Sequence, residues 1–292
     1  MRLPRPIQRF VLKEFVRQTE SYFHPPELKG WDVEQVSDRV YTFRWGWYRN
    51  IFVVTEDGVL ATDPFNPSAA ALLRDAIRDK AGDRPVKHLF YTHYHKDHVE
   101  GGAALEPAEV FCHEGCQSYF ADLGSAAVLT PTRTISGDQT LELGGLTVNL
   151  LYLGKTHTDT LYAIHIPKEE LLFTADFGMV KAFPPVGIPD FYRPGTFRAM
   201  ERVSKLEFRT FVPSHFGHGV KQDFLDFYGM LRRLDESVKE ASEKFGRPDE
   251  TPVPAFAYTY DRLKADYGDW HGFDQMILFS VVRTATGQLL GY

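Results

Sequence analysis

The stretch "YTHYHKDHVEGG", residues 91–102, sets three imidazoles (His93, His95, His98) and a carboxylate (Asp97) within six positions and follows them with two glycines. A solvated loop has no use for such density, and a core would not tolerate these groups unpaired. The cluster directly follows "PVKHLFYTH", which reads as a buried strand. Residues two apart in extended backbone face the same way. On that spacing His93, His95 and Asp97 project together, and His98 points elsewhere, toward a second ion. Gly101 and Gly102 let the next helix start close to the cluster, because neither carries a Cβ.

Three more segments end in the same manner. "LLYLGKTH" delivers His157, "LLFTAD" delivers Asp176 and "RTFVPSH" delivers His215, each at the end of an apolar run. Loops at strand ends are where a rigid scaffold holds reactive groups. Histidine and carboxylate ligands suit zinc, and iron or manganese accept the same set. Six or seven ligands exceed what one tetrahedral ion needs. They fit two divalent ions, expected to be zinc, that share a carboxylate and a water.

Asp63 closes the strand "VLATDP". It either caps the following turn or holds a ligand histidine by a hydrogen bond; the second is expected. His24, His88, His113, His165 and His271 read as structural or solvated. Cys112 and Cys116 are too few for a disulfide framework and read as reduced, partly buried thiols.

With 292 residues, 43% hydrophobic and 25% charged, the chain suits one large globular domain with additions. A net charge of −6 without a basic run argues against a nucleic-acid surface. No stretch has the apolar length of a membrane span, and the N-terminus lacks the apolar run of a secretory signal. The expected compartment is the cytoplasm. The expected partner is a small molecule, with neither nucleic acid nor membrane. Residues 7–23 read as an amphipathic helix, and short strands take over from about residue 35. "NPSAAALLRDAIRDKAG" is a helix capped at Asn66 or Ser68 and stopped by Gly82. Many hairpins and few βαβ units follow, so the fold class is α+β: two mixed sheets face to face with helices outside. We divide the chain into an N-terminal helical extension (1–34), a catalytic domain (35–246) and a C-terminal extension (247–292). Either extension could support a homo-oligomer. "QMILFSVVRT", in the last of these, fits a strand or a helix.

The pattern resembles the metallo-β-lactamase-fold superfamily of hydrolases. "THYHKDH" matches its His-x-His-x-Asp-His motif, and "GKTHTDT", "LLFTADF", "VPSHFGHG" and "VLATDP" are similar to its other motifs in order. The resemblance covers roughly residues 38–245. It implies a four-layer αββα sandwich with the ions at one edge. His93, His95 and His157 would hold one ion, and Asp97, His98 and His215 the other, with Asp176 bridging and Asp63 in support. Two positions depart from the family: Ser214 and Ala175 stand where glycine is usual. His218 follows His215 by three residues and would face the substrate.

Paired ions lower the pKa of a shared water toward neutrality, and no Gly-x-Ser-x-Gly elbow supplies a serine nucleophile instead. The expected enzyme is a metallo-hydrolase that uses a metal-bridged hydroxide on an ester, lactone or amide of a fairly apolar small molecule. Asp97 would handle the proton, and His218 or a tyrosine would meet the oxyanion. Phe183, Phe191 and Tyr192, in the proline- and aromatic-rich loop 181–195, would form the substrate wall. "DYGDWHGF" would close over the site or form a dimer contact. The alternatives are an iron-dependent dioxygenase on the same fold, a thioester hydrolase of glyoxalase type, and a non-catalytic metal-binding protein.

Overall fold

The computed structural model describes residues 5–184, 190–246 and 252–292. Its chain divides into two compact units. The larger comprises Gly30–Val180 and Asp190–Asp226. The other is assembled from Met1–Lys29, Lys181–Pro189 and Phe227–Tyr292.

Two mixed sheets flanked by helices form the larger unit, the αββα arrangement expected from the sequence. The first has seven strands in sequence order: β1 (Trp31–Gln35), β2 (Val40–Trp45), β3 (Tyr48–Thr55), β4 (Gly58–Thr62), β5 (Val86–Phe90), β6 (Glu109–His113) and β7 (Arg133–Ile135). β1 to β4 run as antiparallel hairpins, and β4 to β7 are parallel. The parallel half is possible because α2 (Pro67–Ala81) carries the chain from β4 to β5. The Asn66 side chain caps α2 by accepting from the Ser68 and Ala69 amides, and Pro67 opens it without wasting a donor. Its Ala69, Leu73, Ala76 and Ile77 are buried in one core with Phe43, Phe52, Leu89 and Tyr91.

β1 is absent from the sequence reading because "WDVEQ" shows no clear apolar alternation. It is an edge strand tied on by charge: Asp32 pairs with Arg44 and Glu34 with Arg49, and such charges keep an edge from further pairing.

The second sheet has the order β13 (Gly219–Val220), β12 (Thr210–Pro213), β11 (Leu171–Thr174), β10 (Tyr162–Ile166), β9 (Leu146–Tyr152), β8 (Gln139–Leu143). Its two hairpins turn at Gly144–Gly145 and through a 3-10 turn at Pro167–Glu169. β10 and β11 are buried at every position. α5 (Arg193–Ser204) supplies the parallel crossover from β11 to β12. Phe224, at the start of α6 (Lys221–Phe245), packs edge-on to Phe211 of β12.

In the other unit lie α1 (Arg5–Phe23), the rest of α6, α7 (Pro252–Tyr267) and α8 (Phe273–Leu290). "QMILFSVVRT" is helix, inside α8. Tyr22 anchors this unit: its ring stacks on His271, and its hydroxyl donates to the Phe183 carbonyl at 2.8 Å. Gly272 is required there, since a Cβ would fall 2.2 Å from the Tyr22 ring. No helix among the described residues is long and apolar enough to cross a membrane.

Candidate metal centre

The cluster at 93–98 emerges from β5, between parallel neighbours β4 and β6. Extended geometry lasts only to His95, which precedes the short helix α3 (Lys96–Val99). This corrects the alternation expected from the sequence. Asp97 sits on the first helical turn, so it does not project with His93 and His95. Its Oδ2 accepts from the Tyr48 hydroxyl at 3.1 Å and lies 3.8 Å from His98 Nε2. Gly101 is where the sequence asks for it: a Cβ would meet the Asn66 carbonyl at 2.7 Å, so α2 and the cluster could not approach. A 3-10 turn, Gly102–Leu105, follows rather than a longer helix, and α4 (Cys116–Leu123) comes only after β6.

Asp176, one residue past β11 and Ala175, is the common centre. His215 Nε2 lies 2.6 Å from its Oδ1. His157 Nε2, His98 Nε2 and His93 Nε2 lie 3.0, 3.4 and 3.7 Å from its Oδ2. His95 Nδ1 is 3.0 Å from His157 Nε2. The donors form two overlapping groups around this one carboxylate: His93, His95, His157 and Asp176, and His98, Asp176 and His215. Asp176 and Asp63 both carry positive φ, 51° and 33°, a conformation that L residues adopt mainly where surroundings enforce it.

Residues behind the cluster fix the imidazoles. Both Asp63 oxygens accept from Thr92, Oδ1 from its amide at 2.9 Å and Oδ2 from its hydroxyl at 2.7 Å. The Thr92 proton is thus committed to Asp63, and Thr92 Oγ1 is left to accept from His93 Nδ1, 3.0 Å away. His93 must then present an unprotonated Nε2 to the cluster. Asp63 Oδ2 also lies 3.7 Å from His98 Nδ1. Ser214 accepts from the Asp176 amide at 2.9 Å and donates to Asp176 Oδ1 at 2.5 Å. Trp47 stacks on His215, with ring centroids 3.9 Å apart. Ser214, Thr92, Trp47, Tyr48 and Asp190 are absent from the sequence-based site. Only Ser214 left a signal there, as a departure from glycine.

Burial and neighbouring charges shift the ionisable groups of the cluster. Burial pushes the Asp176 carboxyl up, but His215, His98 and His157 outweigh it and hold it well below the usual carboxylate range. Burial, and then the neighbouring His98 and His95, hold His93 well below the ordinary histidine value. Burial disfavours a charged His98 too, yet Asp176 and Asp97 prevail and raise it well above that value. Buried His93 Nε2, His98 Nδ1 and Nε2, and His215 Nδ1 have no hydrogen-bond partner. Buried polar atoms are normally satisfied. Two of these nitrogens, His93 Nε2 and His98 Nε2, face Asp176 Oδ2, and with His157 and His215 on the same carboxylate they make a donor set that fits a divalent cation of zinc type.

The model of the metallo-beta-lactamase superfamily matches residues 44–215, more than half of the chain. The chain belongs to this superfamily. It is 32% identical over 255 residues to the alpha subunit of 2,4-dinitroanisole O-demethylase from Nocardioides sp. (strain JS1661), covering 85% of this chain and 77% of that relative. The beta subunit of the same enzyme is 27% identical over 253 residues, covering 83% and 76%. A metallo-beta-lactamase from Pontibacter korlensis superposes with a TM-score of 0.61 at 20% identity, over 69% of this chain and 99% of that one. Superfamily membership gives the αββα fold and a possible metal site in a mostly enzymatic group.

Residues expected to touch substrate are distributed differently from the superfamily motifs. Loop 181–195 is divided between the two units, and its residues 185–189 lie outside the described ones. Phe183 is fully buried against Phe273 in the smaller unit, where it serves as core. Phe191 and Tyr192 are half-buried in the larger one, with Lys155 Nζ 5.1 Å above the Tyr192 ring. His218 joins neither donor group; its Nε2 lies 2.8 Å from Glu34 Oε2 on edge strand β1. The chain turns after β12 through Phe216 (φ 61°), so a histidine three residues past His215 is directed to the edge strand.

Proposed function

We propose that this protein is a metal-dependent hydrolase that cleaves a carbon–oxygen or carbon–nitrogen bond at an electrophilic carbon of a small, fairly apolar molecule. An electron-poor aryl methyl ether is the first substrate class; the ester, lactone or amide expected from the sequence follows it. The observation that carries the reading is the convergence of four imidazoles, His93, His98, His157 and His215, each through Nε2, on the buried Asp176 carboxylate. His93, His95 and His157 would hold one divalent ion, and Asp97, His98 and His215 the other, with Asp176 between them. Zinc is the metal this donor set favours. Two such ions supply a water activated at neutral pH and a Lewis acid for the leaving oxygen.

The rest falls to the chain's own side chains. Asp97, held by the Tyr48 hydroxyl, accepts the water proton and returns it to the departing alkoxide. Beside Asp97 opens a cavity of about 330 Å³ lined by Trp45, Tyr48, Phe65, Asn66, Lys96 and Glu100. Three aromatic rings suit a flat aromatic substrate, and the Lys96 ammonium suits its electron-withdrawing or anionic substituent. This cavity takes over the wall role assigned by sequence to Phe183. The relatives' name, 2,4-dinitroanisole O-demethylase, supports this substrate class. Hydrolysis of such an ether balances as aryl methyl ether plus water giving phenol plus methanol. The other reading, oxidation on a bound iron, also removes a methyl group but yields formaldehyde.

The test is turnover of 2,4-dinitroanisole by the zinc-loaded protein in ¹⁸O-labelled water. Methanol, with label in the phenol or the methanol, is expected. Formaldehyde with oxygen consumption would overturn hydrolysis in favour of iron chemistry. A small molecule remains the partner, with neither nucleic acid nor membrane involved, and the cytoplasm remains the compartment. Self-association through the C-terminal extension belongs to the same reading.

A further inference from the structure

Asp190 lies in no motif and comes 14 positions after Asp176. Its Oδ2 is 3.0 Å from His95 Nε2 and accepts from the Tyr94 hydroxyl at 2.5 Å. A carboxylate only accepts, so His95 carries its proton on Nε2 and leaves its lone pair on Nδ1. That Nδ1 lies 3.0 Å from His157 Nε2, inside the donor group with His93 and Asp176. The contact is braced from the side. The Tyr94 ring stacks on Tyr119, with centroids 3.6 Å apart and planes 10° from parallel. The Tyr119 hydroxyl donates to Asp159, two residues past His157.

We propose that Asp190 is a positioning residue for the metal centre: it locks the His95 ring so that Nδ1, and not Nε2, is the donor offered to the ion shared with His93 and His157. This rests on the reading of the cluster as a metal site. His93 is oriented through Thr92 and Asp63, whereas His95 has no hydrogen-bond partner on Nε2 except Asp190 among the described residues. Without Asp190 the imidazole can rotate half a turn and withdraw its donor. Carboxylates that bond a ligand histidine in this way also raise its basicity. The Tyr94 hydroxyl bonds the carboxylate and not the imidazole, and its ring sits edge-on to His95, so removing the hydroxyl alone leaves the lock in place.

The experiment is zinc titration of full-length protein against a competing chelator, paired with the absorption spectrum of the cobalt-substituted form. Asp190→Ala is expected to weaken one of the two ions by roughly 10–100-fold and to change the cobalt spectrum, with the other ion within about threefold. Asp190→Asn, which keeps an acceptor oxygen, restores most of that loss. Tyr94→Phe stays within about threefold of wild type for both ions. The Asp190 side chain is 36% exposed, so the circular dichroism spectrum is expected to be unchanged. Wild-type affinities and an unaltered cobalt spectrum in Asp190→Ala would overturn the proposal. So would a loss in Tyr94→Phe as large as that in Asp190→Ala. A wild-type protein that binds two ions but cleaves no substrate would remove the hydrolase reading and leave this one standing.

Discussion

Asp176 shows how much one carboxylate organises. It faces four imidazoles, and it is itself held by Ser214, which both accepts from its amide and donates to its side chain. Ser214→Ala would leave that buried amide without an acceptor; a loss of about 1–3 kcal/mol in denaturant unfolding is expected. His95→Ala or Asp97→Ala removes a side chain to which the proposed function assigns a metal and is expected to lower turnover by roughly 100-fold or more, with the circular dichroism spectrum retained. A histidine outside the centre gives a pH prediction. His113 Nδ1 accepts from the Gly115 amide at 3.0 Å, and burial, first among its causes, lowers its pKa. The unfolded chain therefore binds this proton more readily than the native one, so stability rises with pH across the window below the unfolded value of about 6.5. The contribution is complete above that value and is lost as pH falls toward the native pKa. His113→Asn, which can accept the same bond, is expected to flatten the stability difference between pH 7.5 and 5.5 in metal-loaded protein; an equally steep profile would contradict this. That His113 is structural follows from sequence by elimination, but its acceptor role does not, because the Gly115 amide reaches it only through a local turn.

Elements carry the donors by their ends, and those ends are set by a few backbone requirements. Gly195, in the first turn of α5, has no room for a side chain: a Cβ would fall 1.8 Å from the Lys155 carbonyl, two residues before His157. Gly195→Ala is expected to shift the His157 loop, lower the unfolding midpoint and reduce the metal content of purified protein relative to wild type. Asn66→Ala removes the cap of α2 and is expected to cost about 1 kcal/mol, measured by thermal unfolding. The cap, the stop at Gly82 and the hairpin turning at Gly144–Gly145 depend on residues a few positions apart and are legible in sequence for that reason. β1 is not, since an exposed edge strand needs no alternation. Nor is α3: a four-residue turn leaves no period to read, and it redirects Asp97 from His93 toward His98.

On the scale of the molecule, the described α8 stands out. Leu278, Val282 and Leu289 are 46%, 56% and 45% exposed and fall on one helical face. Such a stripe favours burial against another chain. We expect the protein to run as an oligomer in light scattering and the pair Leu278→Lys and Val282→Lys to bring its mass down to that of one chain. A monomeric wild type would count against self-association through this helix.

The sequence by itself determined the two-sheet class and the segments that bring His93, His157, Asp176 and His215 forward, because each of these residues follows an apolar run. It also determined the order of those strand ends along the chain. Only the tertiary structure decided how the donors are oriented. Asp190 reaching His95, Thr92 relaying Asp63 to His93, Ser214 holding Asp176 and His218 turning to Glu34 all join residues from different segments. Such contacts leave no periodic trace, since a hydrogen bond is chosen by distance and angle in space and not by separation along the chain.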